Sequence, residues 1–204
     1  MNVKIYVEGG GDRRELQASC RKGFSAFFDK TGLAGRMPKI IAGGGRKKTF
    51  DKFRHAFNKA AYNEFIVLLV DSEEPVLKNS GPWLHLKNRD KWDKPPEARD
   101  DNAHLMVQCM ETWFLADKDS LAAFFGNGFN GNALPKRPDI ENIPKDDITS
   151  GLKKATTRCD PKGIYNKGDH SFAILAQLNP DKVTGVSPHA NRLVDTLLAK
   201  ASAR

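Results

Sequence analysis

Three carboxylates in this 204-residue chain stand where strands are expected to end. Glu8 follows the run Val3 to Val7 (VKIYV), and Asp71 and Glu73 follow Phe65 to Val70 (FIVLLV). In an extended chain, residues two apart place their side chains on the same side, so Asp71 and Glu73 read as a pair. Gathering carboxylates is costly: two unit charges 4 Å apart repel by about 4 kcal/mol at an effective dielectric near 20. A fold that collects three must protonate one or bind a cation. Hard oxygen donors without a His or Cys partner favour Mg²⁺ or Mn²⁺ over zinc. Beside a basic surface, such an ion suits phosphoryl chemistry, because it polarises a phosphate and lowers the pKa of a bound water. One acidic residue at a strand-to-helix junction only caps a turn; two strand ends and the two-residue spacing together point to a metal site.

Other residues extend that chemistry. Gly43, Gly44 and Gly45 precede Arg46, Lys47 and Lys48, a run that would expose backbone N–H groups at a helix start beside three cations, as a phosphate cradle requires. It is no Walker A motif, since no Gly-Lys-Ser/Thr follows, and Gly9 to Gly11 lack the spacing of a dinucleotide fingerprint. Glu111, in a segment with Trp113 and Phe114, reads either as a further catalytic carboxylate or as a helix-start residue favoured by the macrodipole. Lys167 and His170 could supply a cation or a general acid near the site. Lys153, Lys154, Arg158 and Lys162 read as a solvated face that could track a nucleic-acid backbone. No serine sits in a GxSxG elbow, so a Ser-His-Asp mechanism has no support.

The elements that must position these groups are legible in outline. Val3 to Val7 is a strand. A helix follows with Leu16, Cys20, Phe24, Phe27 and Phe28 on one face and Asp12 as its expected N-cap and a further auxiliary site residue. Lys39 to Ala42 reads as a second strand. Next come a helix with Phe50, Phe53, Phe57, Ala60 and Ala61 on its apolar face, and the doubly apolar run at 65–70 of a central parallel strand. Strand, helix, strand, helix, strand is the order of a three-layer α/β fold, a mostly parallel sheet with helices on both faces. Residues 72–103 read as a long functional loop rich in Pro and charge, with Trp83 and Trp92. A fourth strand is expected at 104–108, and helices at 110–117 and 120–125. Residues 1–125 then form the core. Residues 126–204 form a helical C-terminal extension packed on it, with a linker at 126–144 and helices at 148–158, about 169–178, and 188–201, the last capped by Ser187.

Composition fits a soluble globule, with 39% hydrophobic and 28% charged residues. Lys and Arg outnumber Asp and Glu by 33 to 25, and that net +8 favours polyanionic partners such as nucleic acid. No apolar stretch approaches the roughly 20 residues of a membrane span. The first residues, MNVKIYVEGGGD, read as strand and turn rather than an export leader. Cys20, Cys109 and Cys159 form no CxxC pair, which argues against a disulfide framework and for a reducing, cytoplasmic setting.

The motif VEGGGD (7–12) closing the first strand, with LVDSE (69–73) closing a later one, resembles the Toprim domain. That fold is shared by bacterial primases, type IA and II topoisomerases, and nucleases of the overcoming-lysogenisation-defect type. The resemblance implies that Glu8 is the acid/base or metal-ligand glutamate, and that Asp71 and Glu73 are the Mg²⁺-binding pair, with Glu73 where a second Asp is usual. The stretches VEGGGD, AGGGR, LLVDSEEP, METWFLAD and SPHANRL also resemble a bacterial Toprim-like group often encoded beside an ATPase in mobile or defence loci. It implies a Mg²⁺- or Mn²⁺-dependent nuclease acting on DNA or RNA, working in phage defence with an AAA or ABC-type ATPase partner. The alternative expectation is a Toprim-like module that binds nucleic acid or an ATPase without cutting; small-phosphate chemistry on a nucleotide is a third.

Overall fold

The two apolar runs closing on Glu8 and Asp71 lie side by side in the middle of one sheet. The computed structural model describes residues 1–202. Its four strands are β1 (Asn2–Glu8), β2 (Lys39–Gly44), β3 (Glu64–Asp71) and β4 (Ala103–Met106), all parallel, in the order β2-β1-β3-β4. The expected three-layer α/β architecture is therefore present, with a wholly parallel sheet. From β1 the chain crosses to β2 on one side and then to β3 on the other, so the order reverses between β1 and β3. Ligands in open parallel sheets bind outside the carboxyl ends of the strands at such a reversal.

Alternation along β3 explains its doubly apolar sequence. Val67 and Leu69 enter the core on one face, and Ile66, Leu68 and Val70 enter a second core on the other. The first core is built with Cys20, Phe24, Phe27 and Phe28 of α1 (Arg14–Phe28). The second is built with Phe50 and Phe53 of α2 (Arg46–Asn58) and Trp83 and Leu86 of α3 (Pro82–Asp90). The first core continues without a break through α4 (Lys118–Phe125), α5 (Lys145–Ala155), α6 (Lys167–Leu175) and α7 (Pro180–Val186) to Leu193 and Leu197 of α8 (Pro188–Ser202). The C-terminal helices thus share the core of the sheet. Ser187 caps α8 as expected, its Oγ accepting the Ala190 N–H at 3.1 Å.

Several expectations need correction. Residues 72–103 are not structureless: they contain α3 and a 3₁₀ turn at Asp100–Asn102. Pro82, within the stretch read as a Pro-rich loop, opens α3 at its first position, where its missing N–H is no loss. Asp12 does not cap α1, because that helix starts at Arg14 and Arg13 stands at its cap position. The 110–117 segment is a 3₁₀ helix, Met110–Ala116, and α2 stops at Asn58, leaving Ala60 and Ala61 exposed. α5 ends before Arg158, and α7 carried no sequence expectation.

Candidate metal centre

The β1–β3 pairing brings Glu8 beside Asp71, and the turn after β3 returns Glu73 to the same place. One oxygen from each of Glu8, Asp71 and Glu73 lies within 4.8 Å of the others. The Glu8 carboxylate accepts the Asp71 N–H, and Asp71 Oδ1 accepts the Met110 N–H at 2.8 Å. Glu73 adopts a left-handed backbone (φ 66°), held by its N–H donating to the Gln108 carbonyl at 2.7 Å. Glu8 Oε1, Asp71 Oδ2 and Glu73 Oε1 receive no hydrogen bond from the described residues; each carboxylate keeps one oxygen undonated.

Cations surround this cluster without covering it. Arg46 Nη1 donates to Glu8 Oε2 at 3.1 Å and also to the Asp71 carbonyl. The other edge of its guanidinium is held in a two-pronged fork by Asp90, at 2.9 and 2.7 Å, and its face lies 5.1 Å from the Trp92 ring centre. Trp92 in turn stacks on Phe50, centroids 4.2 Å apart. Lys145 donates to Glu73 Oε2 at 2.6 Å. Lys167 lies 3.7 Å from Asp71 Oδ2 and 3.1 Å from Glu111. Glu111 commits both oxygens elsewhere, accepting from Tyr165 at 3.0 Å and from Lys167 at 3.1 Å.

The resulting electrostatics are uneven. Glu8, Asp71, Glu73, Asp90 and Glu111 face Arg46, Arg89, Lys145 and Lys167, so the fully ionised cluster carries one excess negative charge. That excess concentrates on Asp71. Complete burial, with Glu8 and Glu111 adding to it and Lys167 opposing, pushes its pKa from 3.8 to about 7. The rise disfavours the carboxylate by roughly 4 kcal/mol. Burial also raises Glu8 despite Arg46, with Glu73 contributing. Burial would raise Glu73 too, but the Lys145 hydrogen bond and charge prevail and lower it. For Lys167, burial is outweighed by Asp71 and Glu111, which hold the ammonium charged.

The donor set fits a hard dication: three carboxylates on separate backbone positions, each with an oxygen to give, and no nitrogen or sulfur among them. A divalent ion attracts each carboxylate about twice as strongly as a monovalent one at equal distance, which is the scale needed to offset the cost at Asp71.

The remaining sequence-nominated residues divide. Lys167 joins the site; His170 does not. The His170 Nδ1 accepts the Asn166 N–H at 3.0 Å, and its ring sits among Phe124, Phe125 and Tyr165. Asp12 lies outside the cluster, exposed and paired with Lys48 at 2.8 Å. Arg46 faces the carboxylates and not solvent, so it is not a free phosphate-binding side chain. Gly43 belongs to the packing of β2, since a Cβ there would stand 2.1 Å from Thr49 Oγ1. Gly44 and Gly45 do line a pocket of about 240 Å³ with Glu8, Asp71 and Lys167. Lys47 and Lys48 line an open groove of about 850 Å³ beside it, with Lys52, His55 and Asp51, which pairs with Lys47 at 2.9 Å. The C-terminal extension supplies two partners that sequence reasoning missed, Lys145 at the start of α5 and Tyr165 in the loop before α6, and the 72–103 excursion supplies a third, Asp90. None carries a local signal, because each meets its partner across 44 or more residues of chain.

No helix of the described residues is long and apolar enough to cross a membrane. No curated protein and no solved structure matches the chain. The family model described as Domain of unknown function (DUF4276) matches residues 7–198, a span that takes in the three clustered carboxylates, Glu111 and Lys167, and the chain belongs to that family.

Proposed function

We propose that this protein is a Toprim-like phosphodiesterase that cleaves DNA or RNA with Mg²⁺ or Mn²⁺. The observation that carries the reading is the convergence of Glu8, Asp71 and Glu73 within 4.8 Å at the β1/β3 reversal, each with an undonated oxygen. These three residues would hold the ion. When bound, it would polarise a phosphate oxygen and acidify a water. The chain's own groups divide the rest of the work. Backbone N–H groups of the turn at Gly10–Gly11 and of the α2 start at Gly45–Arg46, which have no acceptor among the described residues, would receive phosphate oxygens. The Lys167 ammonium, steadied by Glu111, would balance negative charge building on the phosphate. A water oxygen would bond to phosphorus as the bond from phosphorus to the sugar oxygen breaks, with the water proton passing to solvent and a solvent proton to the leaving sugar oxygen. The groove of Lys47, Lys48 and Lys52 and the net charge of +8 support a nucleic-acid backbone as the larger partner. An ATPase partner, a defence role and a cytoplasmic setting rest on the sequence resemblance and cysteine usage alone.

The purified chain with Mn²⁺ should cleave linear DNA or RNA, and Glu8→Gln or Asp71→Asn should stop it. Cleavage that persists in both variants would overturn the assignment. One observation favours a second reading, a non-catalytic binding module: Arg46, Lys145 and Lys167 already contact a carboxylate apiece. Under that reading, nucleic-acid affinity would be salt-sensitive and indifferent to Mn²⁺.

A further inference from the structure

The pocket beside the carboxylates has two unlike walls. Glu8 and Asp71 line one side, where the ion and phosphate of the proposed reaction would lie. Leu16, Met110 and Phe172 supply apolar surface, and the glycine turns 9–11 and 44–45 supply bare backbone. Glycine at 9 and 10 lets the first turn pack directly against neighbouring atoms of α1 and α6. A Cβ at Gly9 would stand 3.0 Å from the Phe172 ring, and one at Gly10 would stand 2.7 Å from Gln17 Cα. The turns are also fastened. Gly9 and Gly44 exchange backbone hydrogen bonds at 2.9 and 3.1 Å, the Gln17 side chain donates to the Gly11 carbonyl at 3.0 Å, and Lys48 reaches across to Asp12.

A phosphate alone needs no apolar wall. A nucleic-acid duplex cannot enter a recess of about 240 Å³, which falls below the roughly 300–1,000 Å³ of pockets that engulf drug-sized ligands. What suits the recess is one flat, partly apolar group joined to a phosphate, with an aromatic ring and a leucine to cover it.

We propose that this pocket receives a single nucleoside of a nucleoside phosphate, its phosphate lying over Glu8 and Asp71, so that the substrate is presented as a strand end or a free nucleotide and not as the interior of a continuous strand. The proposal rests on the phosphodiesterase reading for the placement of the phosphate, and adds the class of group attached to it.

Calorimetric titration of the full chain in Mn²⁺ buffer tests it, with nucleoside monophosphates, pentose phosphate and inorganic phosphate as probes. Nucleoside monophosphates should bind about tenfold or more tighter than inorganic phosphate, because only they bury apolar surface. Leu16→Trp, which fills the pocket from α1, should erase that advantage. Leu16→Phe, a smaller filling from the same position, should reduce it and guards against a folding defect in the first variant. Linear single-stranded DNA cleaved in preference to a circular strand would identify the source as a strand end. Tight mononucleotide binding without that preference would identify a free nucleotide. Equal affinity for nucleoside monophosphate and phosphate, or an advantage that survives both fillings, would overturn the pocket assignment even where Mn²⁺ binding and cleavage are intact. A nucleoside preference without Mn²⁺ binding or cleavage would keep the pocket and remove the phosphodiesterase.

Discussion

The Glu8 carboxylate accepts the backbone N–H of Asp71 at 3.2 Å, so one side chain ties the end of β1 to the end of β3 while facing its neighbours in the cluster. Glutamine keeps that acceptor and removes the charge; alanine removes both. Glu8→Gln should fold normally and lose about tenfold or more in Mn²⁺ affinity. Glu8→Ala should in addition lower stability by about 1–3 kcal/mol, since the Asp71 N–H and one arm of Arg46 lose their partner. Urea unfolding beside Mn²⁺ calorimetry separates the two effects, and equal stability of the two variants would refute the tie.

Asp71 makes the metal-free protein pH-sensitive. Below about pH 4 both folded and unfolded chains carry its proton, and burial of the group costs nothing electrostatic. Between 3.8 and about 7 the unfolded chain releases the proton first, so stability falls as pH rises, and above 7 the cost is fully present. Asp71→Asn should therefore stabilise the protein in EDTA by about 1–4 kcal/mol at pH 8, with the gain shrinking toward zero at pH 4. At this chain length that is about 2–4 °C of Tm per kcal/mol, readable by thermal melts across pH.

The same proton competes with the ion. Mn²⁺ affinity should weaken by about tenfold for each pH unit below 7, as protonated Asp71 ceases to be a ligand. Titrations at three pH values decide this. A flat profile would show that Asp71 is not a ligand.

Lys167 and Glu111 should act as one unit. Removing the ammonium with Lys167→Met leaves buried Glu111 with Tyr165 alone and Asp71 with only the more weakly acting Lys145, a loss of about 1–3 kcal/mol. Glu111→Gln made in the Lys167→Met background should cost less than it does in the wild type, and a double-mutant cycle measures that coupling.

Arg46 and its two basic neighbours should separate cleanly. Arg46→Met strips Glu8 and Asp90 of their shared partner and should destabilise by about 3 kcal/mol or more. Lys47→Ala and Lys48→Ala should leave the melting temperature within a degree or two. Each should lower nucleic-acid affinity and reduce its salt slope by about one for every phosphate left without its lysine. A melting temperature for Arg46→Met equal to that of the lysine variants would refute the division.

Local pattern carries the reading as far as local physics reaches. β1, β3 and α1 announce themselves because their apolar residues repeat at the period of the element and meet one or two cores. Glu8 and Asp71 are legible for the same reason, each placed by the end of a strand whose partners are its immediate neighbours; Glu73 joins them through a left-handed turn after β3 and not through the extended spacing that made it read as a pair with Asp71. Arg46 misleads, since a glycine run followed by three cations looks alike whether the first cation faces a phosphate or an internal carboxylate. What decides between them is Asp90, delivered by α3 from the stretch that reads as patternless. Glu111 stays ambiguous until Tyr165 and Lys167 arrive from the far end of the chain. His170 looks available only because its ring neighbours, Phe124, Phe125 and Tyr165, lie on other elements.

The left-handed backbone of Glu73 sets fold and function against each other. A non-glycine residue held there stores about 1 kcal/mol or more of conformational strain. Glycine would release it, and with it the third carboxylate. Selection for thermal endurance alone, as in a directed-evolution experiment blind to activity, should drift toward Glu73→Gly and yield a hardier protein with a dismantled centre.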